Sequence, residues 1–183
     1  MRKRNGVLSV WGCRGMIMLM ASFLLCCAGC NTIDSNRIPD YTVSINLSPQ
    51  GTWQVYGVNG YGDTRRFIRE LREPSNFGWT ERTYTGYGGV LLVCGTDAFT
   101  NEAGVPLAYD LSCPVECRRD IRVNIVMEDP LPVAQCPVCK SRYDVVQAGG
   151  RPLSGPALAD SYGLRIYRCI PPANGTGGFL IIN

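Results

Sequence analysis

The sequence predicts an all-β protein: an antiparallel sandwich or barrel with two cysteine-bearing loops. Short runs of alternating or wholly apolar residues supply the strands, and 21 glycines and 12 prolines spread through the gaps supply the turns. The 183 residues are 45% hydrophobic and 18% charged, which suits one domain with a real core and excludes a disordered chain. Histidine is absent. That excludes Ser-His-Asp and Cys-His hydrolysis and His-ligated zinc catalysis, and no nucleophile–base pair can be named. Ten cysteines, far above ordinary usage, put the chemistry in thiols, and the missing nucleophile–base pair points away from an enzyme.

Taken in chain order, the N-terminus comes first. Arg2, Lys3, Arg4 and Arg14 precede or flank an apolar run from Met16 to Ala28, with no acidic residue before Asp34. This is the pattern of a secretory signal, and the run is short for a membrane span. It closes on Cys27-Ala28-Gly29-Cys30, which resembles the lipobox of bacterial lipoproteins, with Cys27 where that pattern prefers leucine. The resemblance implies a signal peptide over 1–29, lipidation of Cys30, and a membrane partner reached through the lipid anchor. The expected location is the bacterial cell envelope, at the outer membrane facing the periplasm. Losing residues 1–29 removes four basic residues and no acid, leaving 14 basic against 15 acidic residues in place of a net +3. A nucleic-acid partner is therefore not expected.

Residues 30–40 are polar, end in Pro39-Asp40 and read as a tether to a single β domain over 41–183. Strands are expected at Tyr41–Leu47, Gly89–Cys94, Arg122–Met127, Leu164–Arg168 and Phe179–Ile182. One helix is expected over Thr64–Glu73, where Phe67, Ile68 and Leu71 share a face and Pro74 stops it. Eight aromatic residues between Trp53 and Tyr87 read as core and strand packing in preference to a sugar-stacking platform.

Six cysteines remain once the signal and Cys30 are set aside: Cys94, Cys113, Cys117, Cys136, Cys139 and Cys169. Cys113-Pro-Val-Glu-Cys117 and Cys136-Pro-Val-Cys139 each place two sulfurs on a tight turn, with 18 residues between them. Brought together, two such turns offer four thiolates to zinc or to an iron–sulfur cluster, or four partners for disulfides. Cys94 and Cys169 each end an expected strand and form a candidate structural disulfide.

From Gly89 to Asn183 the chain resembles a Rieske-type ferredoxin domain. The residues that carry this are Gly89-Val-Leu-Leu-Val-Cys94, Ala108-Tyr-Asp-Leu-Ser-Cys-Pro114, Cys136-Pro-Val-Cys-Lys-Ser-Arg-Tyr-Asp144 and Gly149-Gly-Arg-Pro-Leu-Ser-Gly-Pro-Ala157. The resemblance implies a [2Fe-2S] cluster and single-electron transfer to a redox partner protein that the sequence does not name. Cys113 and Cys136 match the family's cysteine ligands by position. Its two histidines fall at Val115 and Cys139, so Cys139 keeps a ligand and Cys117 is the expected fourth. The metal ligands are thus expected to be Cys113, Cys117, Cys136 and Cys139. The alternative is a structural or binding module whose cysteines hold zinc or disulfides.

Overall fold

The computed structural model describes residues 32–183. The expected signal segment and Cys30 lie outside them. Residues Ile33–Asn183 form one compact unit.

The fold is all-β, as expected, and is built of two antiparallel sheets. The larger sheet contains β1 (Val43–Asn46), β2 (Thr64–Phe67), β3 (Tyr84–Thr85), β4 (Val90–Thr96), β5 (Ala103–Asp110), β10 (Ile166–Ile170) and β11 (Leu180–Ile182). Its order is β2-β4-β5-β10-β11-β1-β3. The smaller sheet is a meander of β6 (Asn124–Glu128), β7 (Leu131–Gln135), β8 (Arg142–Asp144) and β9 (Arg151–Ser154). Two short helices, α1 (Gln50–Tyr56) and α2 (Pro156–Ala159), complete it.

β4 explains the layering. Its wholly apolar run cannot have a wet face, and the period of two divides it between two cores. Val90, Leu92 and Cys94 join Val43, Ile45, Trp53, Phe67 and Ile181 in one cluster. Leu91 and Val93 join Tyr109, Ala134, Tyr143, Val145 and Leu164 in the other, which lies under the smaller sheet. Five of the eight aromatics, Trp53, Tyr56, Phe67, Phe77 and Trp79, serve the first core, while Tyr61 and Tyr84 are exposed. Phe77 meets Tyr56, Phe67 and Trp79 edge-on, and Trp53 packs on Phe179 with centroids 4.8 Å apart.

The helix expected over Thr64–Glu73 does not form. Thr64–Phe67 is β2, paired antiparallel with β4 from Thr64↔Val93 to Phe67↔Val90. Only Arg69–Leu71 makes a 3-10 turn, and Ile68 bridges back to Glu73. The apolar β4 needs a ladder partner on its open side, and that tertiary demand outweighs local helix propensity. Glu70 accordingly pairs with Arg119 and Arg122 of another loop, with no i,i+4 partner.

The segment expected to be a tether is docked from Ile33 onward. Asp34 bridges to Tyr162, Ile38 is 1% exposed, and Arg37 lies over the Tyr162 ring. Arg165 holds this segment through the Ile38 carbonyl and an ion pair with Asp40. Polarity marked it as linker, yet two arginine contacts and one buried isoleucine suffice to seat it.

Candidate metal centre

Two loops meet over the second core at one end of the smaller sheet, where Asn124 at the start of β6 pairs with Gln135 at the end of β7. The first leaves β5 and returns as β6, and its base is pinned by Asp110, a fully buried carboxylate. Asp110 accepts the backbone N–H groups of Tyr87, Gly88 and Ser112 and the Tyr167 hydroxyl, at 2.6 to 3.2 Å. Four donors compensate a charge that would otherwise be prohibitive to bury. Gly88 has no alternative there, because a Cβ would come within 2.0 Å of Ser112 Oγ. The second loop closes the β7–β8 hairpin, where Gln135 faces Arg142. Cys113 N–H donates to Ile121 C=O at 3.1 Å and Cys136 N–H to Ser141 C=O at 2.9 Å, shutting the two loops.

These closures bring Cys113, Cys136 and Cys139 together, with all three sulfurs within 4.8 Å of one another. Cys113 and Cys136 are buried and Cys139 is half-buried. The Sγ atoms of Cys113 and Cys139 stand 3.5 Å apart. Tyr143 Oη lies 3.6 Å from Cys113 Sγ, and Ser141 Oγ lies 3.2 Å from Cys139 Sγ. Ser141 is itself held by the Ala157 N–H of α2, at 3.0 Å. The Pro156 turn therefore braces the second loop from outside. Sequence reading assigned no role to Ser141, Tyr143 or this brace. The signal was there, since hydroxyls two and four residues past Cys139 can meet sulfur once β8 turns back.

The thiols differ in acidity. Burial pushes Cys113 up to about 12, against the pull of the Glu116 and Val115 N–H groups. Burial raises Cys136 as well. Burial also acts on Cys139, but the Ser141 hydroxyl and N–H and the adjacent thiols outweigh it and hold this group below its ordinary value. Burial, followed by the neighbouring Cys113 sulfur, keeps the Tyr143 phenol protonated far above its usual range. Buried thiols gathered beside a lower-pKa one form a donor set suited to a soft or borderline cation, which would displace their protons.

Cys117 does not join the three. Its backbone is left-handed, with φ 50°, and its thiol donates to Pro114 C=O at 3.0 Å. Nor do Cys94 and Cys169 form the expected disulfide, since all six described cysteines are free. They sit on β4 and β10 with β5 between them, and strands two apart in a sheet are about 9.5 Å apart, beyond disulfide reach.

No protein-family model, curated protein or solved structure matches this chain.

Proposed function

We propose that this chain is a lipid-anchored metal–thiolate protein of the cell envelope that carries single electrons on a [2Fe-2S] cluster. The observation behind it is the convergence of Cys113, Cys136 and Cys139 from two separate loops. Hydrogen bonds surround the sulfurs, and the metal-bearing edge reaches the surface, where Val138 is 54% exposed. An electron carrier needs a centre close to its partner and no substrate pocket. The Rieske resemblance of the same loops supports iron. When bound, the group would supply one-electron redox chemistry, while these residues hold it, exclude water from two of the three sulfurs and donate hydrogen bonds to them.

One observation favours a second reading, a single zinc ion held structurally. Two thiolates 2.3 Å from one tetrahedral ion stand about 3.8 Å apart, and the 3.5 Å between Cys113 and Cys139 is close to that spacing. Thiolates on two different irons stand further apart.

Anaerobic purification followed by analysis for iron, zinc and acid-labile sulfide separates the readings. Iron and sulfide in equal amounts, with visible charge-transfer absorption, support the cluster. Zinc alone supports the structural site. Cys136→Ser should lose the metal in either case, and a fully loaded Cys136→Ser protein would sink both. A cluster here should show no histidine-linked fall of potential with pH, because the chain has no imidazole proton to lose. For the anchor, Cys30→Ser should abolish lipid labelling and release the protein from membranes. Unchanged fractionation and mass would end that part of the reading.

A further inference from the structure

The two cysteine loops share a Cys-Pro-Val start and a left-handed fifth residue, and that match bears on the fourth ligand. Cys113-Pro-Val-Glu116-Cys117 aligns with Cys136-Pro-Val-Cys139-Lys140. The fifth residue of each turns the chain through the left-handed region, with φ 50° at Cys117 and 59° at Lys140. The fifth side chain also bends back to the same acceptor: Cys117 Sγ to Pro114 C=O at 3.0 Å, and Lys140 Nζ to Pro137 C=O at 2.6 Å.

Cys117 is thus the counterpart of Lys140, which binds no metal, and Glu116 is the counterpart of Cys139, which lies in the cluster. We propose that Glu116 is the fourth ligand, giving a donor set of three thiolates and one carboxylate. This rests on the metal reading of the same site. Glu116 is half-buried, and no ion pair among the described residues engages its carboxylate. The carboxylate stands outside the three-sulfur cluster, so holding an ion there requires its side chain to swing toward the sulfurs. Carboxylate oxygen is an established zinc donor and is harder than thiolate. The backbone of the turn is already set, because it is the backbone that aims Cys139. Cys117 would have to break its bond to Pro114 to do the same.

The test is metal affinity in the reduced full-length protein, titrated anaerobically with zinc and with cobalt(II) as a coloured substitute. Glu116→Ala should weaken zinc binding by more than the roughly 10–100-fold typical of losing an outer partner. Cys117→Ser should bind as the unaltered protein does, with the same thiolate-to-cobalt absorption. Glu116→Cys completes the second copy of the loop, so that absorption should rise by about a third as a fourth thiolate joins. Zinc held as tightly by Glu116→Ala, or lost from Cys117→Ser, overturns the assignment. Failure of the unaltered protein to bind either ion would instead overturn the metal reading beneath it.

Discussion

Ser141 shows how much one small side chain can hold in this site. Its hydroxyl stands between Cys139 Sγ and the buried Ala157 N–H, so it serves the thiol and the brace together. Ser141→Ala would leave that N–H without a partner in a fully buried position, at a cost of about 1–3 kcal/mol. It would also let the Cys139 pKa rise, since the hydroxyl is one of the groups holding it down. The expected outcome is a lower urea midpoint together with slower alkylation of Cys139 at pH 8 once metal is removed. Faster alkylation would mean that the hydroxyl does not stabilise the thiolate. Proline-shaped cysteine turns could be read from spacing alone. That Cys117 stands apart from the other three sulfurs, on a left-handed turn, could not, because that conformation leaves no trace in composition.

The supporting turn carries a second prediction. Gly155 has φ +81°, and a Cβ there would stand 2.8 Å from Ser141 Cα, a backbone atom that cannot swing aside. Gly155→Ala should therefore displace the base of the second cysteine loop. We expect weaker metal binding from a residue that touches no sulfur, with a loss of stability of about 2–4 kcal/mol from overpacking and strain. Equal metal content and an unchanged midpoint would show that the Pro156 turn does not brace the site. The Gly-Pro-Ala stretch stood out in the sequence as part of a family pattern, but its contact with Ser141 is set by β9 folding onto β8. The same distinction explains the failed helix. Phe67, Ile68 and Leu71 have helical spacing, and nothing local announces that β4 will take Thr64–Phe67 as its edge partner.

The whole domain should be sensitive to alkali. Burial pushes the Cys169 thiol up to about 12. Burial also raises Cys94, and the phenols of Tyr109 and Tyr167 are raised by burial and then by nearby carboxylates or thiols. Above about pH 9 the unfolded chain loses these protons while the folded chain keeps them, so stability falls as pH rises. Each such group contributes up to about 1.4 kcal/mol per pH unit until the folded pKa is reached. Urea midpoints at pH 8 and 10.5 should therefore differ clearly, and Cys169→Ala should reduce the difference. A midpoint constant over that interval would mean that these groups are exposed in solution. Class and punctuation were legible from sequence because they follow from local facts: period-two alternation, glycine and proline at turns, and cysteine pairs on proline loops. The seating of Ile33–Asp40, the β2 edge, the separation of Cys94 from Cys169 by β5, and the choice of three sulfurs out of six were settled only by tertiary structure. Each of these turns on which segments become neighbours, and burial of β4 on both faces decides that for the chain as a whole, where no local window of residues can.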